Sequence, residues 1–390
     1  MKNAILLFLK FLALGFTSFG GPAAHLGYFR TVFVVQKKWL SESEYSQLIA
    51  LSQFLPGPGS SQVGFAIGLK RMGILGGVLA FIGFTLPSFI IMLALATGIT
   101  SITENTYLDS FIHIFKLLAV IVVLDAVLTM GKNFCASNTT KIIAVLTCCA
   151  IWVIPVPFIQ ILCILAASAY GFWKLQSTEP LDSNPSISIK SNLKPNLSSI
   201  LFMAIFVACL FNFLPLGELF SQTFVAGSLV FGGGHVVLPL LQDYFSIQVG
   251  QENFITGYAA AQAIPGPMFA FASYLGALSH ESAILGATIA TLGIFLPGFL
   301  LILAFQNNWN QLAKHPNVSG LINGVNASVV GLLAATLYTP IFASSVLVPM
   351  DMVIVALGFL LLRFIKLPII YIILLGSLIA VISAWMGSLT

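Results

Sequence analysis

Apolar runs of about twenty residues follow one another along almost the whole chain, and this limits what it can fold into more than any other feature. Only 7% of the 390 residues are charged and 58% are hydrophobic, against about a quarter charged in a soluble domain. There are too few polar side chains to cover a water-facing surface. The chain therefore reads as an integral membrane protein, and runs of this length mean helices. A β-barrel shows shorter, alternating segments. The N-terminal MKNAILLFLKFLALGF begins like a secretory signal, but no small-residue cleavage site follows and apolar sequence continues, so it is read as part of the folded protein. Cys135, Cys148, Cys149, Cys163 and Cys209 show no metal-ligand spacing and read as small packing residues. The net charge of +4 belongs to loops and implies no nucleic-acid partner.

Apolar segments lie near 4–35, 45–69, 73–98, 110–130, 140–155, 157–173, 197–214, 219–249, 254–279, 282–305, 318–341, 347–362 and 367–388. The long polar stretch 174–196, rich in Ser, Asn and Pro, reads as a linker. The sequence on its two sides repeats. FGGP at 19–22 answers FGGGH at 231–235, SQFLPGP at 52–58 answers AQAIPGP at 261–267, and 73–95 answers 283–305 with 10 of 23 positions identical. VIVVLDA at 120–126 answers VVGLLAA at 329–335, and the offset stays between 209 and 212 throughout. Chance likeness between apolar sequences keeps neither order nor spacing, so the chain reads as a duplication.

Charge supplies the orientation. Arg30, Lys37, Lys38, Lys70, Arg71, Lys132 and Lys141 are read as lying outside the membrane spans of the first half, whereas 99–109 carries only Glu104 and Asp109. Placing the positive loops inside requires segments 4–35 and 45–69 each to enter and return on one side, hinged at FGGP and PGPG. The second half has Glu218, Asp243, Glu252 and Glu281 beside its hairpins and reads the other way up, with 197–217 as the crossing that inverts it. The expected fold is an all-α polytopic membrane protein of two inverted-topology repeats with Gly/Pro-broken re-entrant helical hairpins. Its parts are a first repeat at 1–173, a cytoplasmic linker at 174–196, the inverting helix at 197–217 and a second repeat at 218–390. That gives nine full spans and four hairpins, N-terminus inside and C-terminus outside. The rival count turns each hairpin into one crossing, giving thirteen spans, and puts Arg30, Lys37 and Lys38 outside.

Non-helical backbone at membrane depth is buried in protein or lines a wet cavity, and broken helices in inverted repeats point to a transport site at the midplane. The four breaks hold Gly20, Gly21 and Pro22; Pro56, Gly57, Pro58 and Gly59; Gly233, Gly234 and His235; and Pro265, Gly266 and Pro267. The second proline of each PGP fits the first turn of a new helix. That leaves free N–H groups on Gly59, Ser60 and Ser61 and on Met268 and Phe269, at a positive helix end that favours anions. Ser60, Ser61, Gln53 and Gln62 supply side-chain donors, and Gln262 answers Gln53. The expected ligand is a small tetrahedral oxyanion. The plainer reading is that Gly and Pro only kink packed helices.

FGGPAAHLGYFR, LPGPGSSQ, VFGGGHVVLPLLQ and AAQAIPGPMFAFASYLGA resemble the chromate ion transporter family in its long two-domain bacterial form, over both halves and nearly the whole chain. The resemblance implies a multi-pass protein of the bacterial inner membrane that exports chromate and confers resistance, with sulfate as competitor. Gly59 departs from the family pattern, where Asn is expected after the first PGP, and this leaves the particular anion more open than its class.

Other candidates carry two readings each. Lys116 lies inside an apolar span, where a charge is costly; it attracts the anion or snorkels to the outer face. His113 shares its face, and Asp125 is either a proton site or an inner-end surface residue. His25 and His235 adjoin breaks and either contact the anion or cap and pack locally. Asn323 and Asn326 offer amide donors or interhelical hydrogen bonds. Gly64/Gly68 and Gly320/Gly324 read as close-packing pairs, and Pro87 and Pro297 as matching kinks. The serines after PGPG and Lys116 favour the first half as the binding side. A dianion leaving a cell gains about 4.6 kcal/mol per 100 mV, so export needs no ATP site, and no Walker motif is present. No cofactor or metal is expected, and no HExxH, GxSxG or intramembrane aspartate pair suggests an enzyme. The partners are the oxyanion, the bilayer and, as an allowed state, a second copy of the chain. An anion channel, or a transporter of another small oxyanion, is the rival on the same scaffold.

Overall fold

The computed structural model describes residues 2–101, 106–154, 159–175, 196–211, 217–231, 233–306 and 316–387. Most of the linker at 174–196, Glu104, and Gly232 of the second FGGG lie outside them. Among the described residues every regular element is helical. In the first half these are α1 (Lys2–Thr17), α2 (Gly21–Phe29), α3 (Glu42–Phe54), α4 (Gly59–Ser101), α5 (Thr106–Phe134), α6 (Asn138–Val153) and α7 (Ile159–Lys174). Then come α8 (Leu197–Leu210), α9 (Glu218–Leu229), α10 (Val237–Gln248), α11 (Gln251–Ala263), α12 (Phe271–Ser279), α13 (Ala283–Phe305), α14 (Pro316–Thr336), α15 (Pro349–Arg363) and α16 (Ile369–Gly387). The chain is a multi-pass membrane protein. Among the described residues, four helices are long and apolar enough to cross a bilayer: Gly59–Gly98, Ile112–Phe134, Ala283–Phe305 and Ser319–Ser345.

The breaks fall where the sequence places them, for local reasons. α1 stops before Gly20, whose left-handed backbone (φ 95°) lies outside the range of most side chains, and Pro22 opens α2. α2 runs on as π-helical turns over Arg30–Gln36. α3 starts on a capping box, with the Ser41 hydroxyl accepting from the Glu44 amide and the Glu44 carboxylate accepting from the Ser41 amide. It stops at Leu55, held extended ahead of Pro56. With 13 residues, α3 is about 20 Å long, short of the roughly 30 Å hydrocarbon core. α4 turns a corner at Met72 and Gly73 (φ 65°), which divides it into arms 59–71 and 74–101. A Cβ on Gly68 or Gly76 would strike the other's carbonyl, so the arms pack backbone to backbone. Gly276 and Gly286 do the same where α12 turns into α13.

Each half packs its first helix on its long one. α1 lies on α4, with Gly15 against the Phe84 carbonyl and Pro87; α9 lies on α13, with Gly227 against the Ile294 carbonyl. The halves also interlock. α14 of the second half sits against α6 and α7 of the first, and α5 of the first sits against α11, α15 and α16 of the second. The α7–α14 contact is glycine-made: Gly320 meets Gly171, and Gly324 meets the Ala167 carbonyl. Leucine at Gly324 is expected to force the helices apart, costing about 1–3 kcal/mol and lowering the thermal midpoint in detergent. Alanine at Gly98, which has nothing within 4 Å of the added carbon, is the tolerated control; equal midpoints would show that the contact does not hold the halves together.

Candidate functional site

The four breaks meet in pairs that cross between halves. The Gly57 amide donates to the Val230 carbonyl at 2.8 Å, and the Gly266 amide donates to the Ser18 carbonyl at 2.9 Å. Val230 precedes Phe231 as Ser18 precedes Phe19, so each PGP glycine is bonded just ahead of the other half's FGG. Gly57 (φ 127°) and Gly266 (φ 97°) both need glycine's freedom there. A Cβ on Gly57 would lie 3.0 Å from the Gly298 Cα, and one on Gly266 would lie 3.0 Å from the Ser88 hydroxyl. Residues 88 and 298 occupy matching positions in the similar stretches 73–95 and 283–305. Pro22 comes close to Gly234, completing the contact between the first and third breaks.

The surroundings of the two PGP turns differ. At the first, the earliest helical bond of α4 runs from the Gln62 amide to the Pro58 carbonyl at 2.9 Å, so the Gly59, Ser60 and Ser61 amides precede the ladder. Around them lie buried polar side chains. His25 Nδ1 is 3.2 Å from the Ser60 hydroxyl, and the ring stands edge-on to Phe84 at 5.2 Å. His25 Nε2, Ser18 Oγ, Ser61 Oγ, Gln62 Oε1 and Thr85 Oγ1 are buried without a protein partner. Gln62 spends its Nε2 inside the chain, on the carbonyls of Pro56 (2.8 Å) and Gly298 (3.3 Å). These bonds fix its Oε1 as the free end. A buried polar atom left alone costs about 1–3 kcal/mol, and five of them gather beside this helix N-terminus.

At the second PGP the corresponding positions are Val230, Val237, Phe269, Ala270, Phe271 and Phe295 in place of Ser18, His25, Ser60, Ser61, Gln62 and Thr85. Phe269 packs on Phe295, and Phe295 stacks on Phe299. The Met268 and Phe269 amides lead a short 3-10 turn of buried apolar residues there. Gln262 Nε2 is taken up by the Met268 sulfur.

Other residues singled out from the sequence lie elsewhere. Gln53 is exposed. Lys116, 8% exposed, pairs with Glu252 at the start of α11, at 2.9 Å. His113 bonds Asp351 at 2.8 Å, and Asp125 pairs with Arg363 at 2.9 Å. All three pairs tie α5 to the second half. Asn326 is buried in α14 with a free Oδ1, while Gly21 (φ 76°) and Gly233 (φ 151°) carry glycine-favouring backbone at their breaks. Sequence reading missed Ser18, Thr85 and Glu252. The polar-to-apolar exchanges between repeats marked the first two.

At one end of the first half, Arg30 pairs with Glu42 (2.6 Å), Lys70 with Glu44 (3.2 Å), and Arg71 lies over Trp39. The Ser41 backbone, then the Lys70 ammonium, hold the Glu44 carboxyl down at about 2. Trp39, Lys70, Arg71 and Glu44 line a cavity of about 340 Å³.

A family model described as chromate transporter matches residues 5–172 and again 217–381. The chain belongs to the chromate transporter family. It is 27% identical to the chromate transport protein of Pseudomonas aeruginosa over 353 residues, 85% of this chain and 79% of the relative. It is 25% identical to the chromate transport protein of Cupriavidus metallidurans over 370 residues, 93% and 88% of the two. An uncharacterized transporter of Methanocaldococcus jannaschii is 28% identical over 351 residues, 85% and 83% of the two. No solved structure matches. The family is one of membrane transporters, and each breakpoint described above lies within a matched region.

Proposed function

We propose that this transporter carries chromate out of the cell, driven by membrane potential, and binds it at the first PGP break. The observation that carries the reading is the group of unpartnered polar atoms around the N-terminus of α4. The Ser60 and Ser61 amides, the Ser61 hydroxyl and His25 Nε2 are donors suited to an oxyanion, and Ser18 and Thr85 add hydroxyls. The printed names of the relatives supply chromate as the anion. Sulfate, of the same shape and charge, competes. Export across the inner membrane lowers internal chromate and so confers resistance.

The duplicated architecture goes with this reading. The first repeat spans 1–173, the linker 174–196, the inverting crossing 197–217 and the second repeat 218–390. The double family match and the reciprocal Gly57–Val230 and Gly266–Ser18 bonds support the two-fold relation. The N-terminus lies inside and the C-terminus outside, with the broken pairs as re-entrant hairpins. Lys37, Lys38 and Arg71, beside the Arg30–Glu42 and Lys70–Glu44 ion pairs, then stand at the cytoplasmic mouth and raise the local anion concentration.

His25→Ala and Ser61→Ala are each expected to weaken chromate binding by about tenfold, the loss of one charge-assisted hydrogen bond. Calorimetric titration of the detergent-purified protein measures it. Wild-type affinity in both variants would move the site away from this break.

A further inference from the structure

The second break carries a polar group that the anion site does not use. His235 Nδ1 lies 2.8 Å from the hydroxyl of Tyr258 on α11. Tyr258 is fully buried, and its oxygen is in hydrogen-bond reach of Gln262. Gln262 in turn touches the Met268 sulfur, and the Met268 methyl fills the space beside Gly234. His235, Tyr258, Gln262 and Met268 thus form one chain of contacts between the two breaks of the second half. Asp125 of α5 lies close enough to His235 to act on it electrostatically, and is itself held by Arg363 at 2.9 Å. The repeat counterparts of His235, Tyr258 and Asp125 are Ala23, Ile49 and Ala334, none of them ionisable. The anion-site residues show the opposite pattern, polar in the first half and apolar in the second.

We propose that His235, with Tyr258 and Asp125, is a proton-binding centre at the second break, separate from the anion site at the first. When the ring is neutral with its proton on Nε2, Nδ1 accepts the Tyr258 hydroxyl proton. When a proton from water binds Nδ1, that nitrogen becomes a donor, and the Tyr258 oxygen must accept. The Tyr258 hydrogen must then turn away from Nδ1, which changes the bonding of Tyr258 with the neighbouring Gln262. Protonation therefore changes the bonding of the residue that links both breaks. A carboxylate beside a buried ring offsets part of the cost of charging it. The other elements packed on the Gly234–Val236 turn are α10 and α14, and Pro22 of α2 and Met268 come close to Gly234; of α2's ionisable residues, His25 bonds Ser60 and Tyr28 is exposed. α14 has no ionisable side chain, and Asp243 and Tyr244 of α10 line a separate cavity with Gln160 and Glu218.

The test needs no transported anion. The full chain is labelled with 13C-histidine in nanodiscs, and His235→Gln identifies the resonance among the five histidines. It is expected to titrate between about pH 4 and pH 7. Asp125→Asn should lower its proton affinity about tenfold, and Tyr258→Phe, which keeps the ring volume, should also move the midpoint. A resonance that does not titrate, or a midpoint untouched by Asp125→Asn, overturns the proposal. In vesicles, the pH profile of chromate flux should shift with Asp125→Asn in the same direction; a profile that stays put contradicts coupling. Absence of any wild-type flux counts against chromate as the cargo, and the titration alone then decides this proposal.

Discussion

Alanine at both Gly57 and Gly266 is expected to abolish transport and to reduce the yield of folded protein. Each glycine has positive φ, which costs other residues about 1–2 kcal/mol, and the added carbons would press on Gly298 and Ser88. The larger effect is geometric, since moving either backbone breaks the amide bonds to Val230 and Ser18 that close one half on the other. Gly217→Ala separates the two causes. Its φ of 84° carries similar strain, but nothing lies within 4 Å of the new carbon. Transport is expected to survive there and to vanish in the double variant. Equal activity in both would show that the breaks are ordinary kinks.

Asp351→Ala is expected to destabilise the fold more than any other single change to a charged residue. Asp351 is 3% exposed and accepts from His113 (2.8 Å) and from the Leu347 and Val348 amides (2.8 and 3.1 Å). Removing the carboxylate strands all three donors at once, about 3–5 kcal/mol for a buried partner lost. Thermal unfolding in detergent reads the loss. Asp351→Asn, which keeps an acceptor oxygen for the amides, should retain part of the stability. An Asp351→Ala protein with the wild-type midpoint would show that α5 is not anchored through this residue.

The breaks were legible in the sequence because Gly and Pro act on their own backbone and need no partner to do so. Gly20, Gly57 and Gly266 all lie in backbone that their neighbours in sequence already specify. Gly320 and Gly324, read as a close-packing pair, do meet the backbone of α7, whereas the corner pairs Gly68–Gly76 and Gly276–Gly286 were not read from the sequence, because close approach depends on a partner. What the sequence did not reveal was how the halves engage. Lys116 and Glu252 lie 136 residues apart, and His113 and Asp351 lie 238 apart; nothing local joins them. Glu252 therefore passed for an orientation signal and Lys116 for an unpaired charge. Ser18 and Thr85 look like ordinary small polar residues in apolar helices until their counterparts, Val230 and Phe295, are set beside them.

The most direct test of a single anion site is labelled chromate flux into inside-out-oriented proteoliposomes under an imposed potassium-diffusion potential, with sulfate as competitor. The account predicts potential-driven chromate flux that falls steeply in a His25→Ala/Ser61→Ala double variant and is unchanged when Phe269 at the second break is replaced by leucine. Flux that ignores the first pair and collapses with Phe269→Leu would place the anion at the other break and contradict the account.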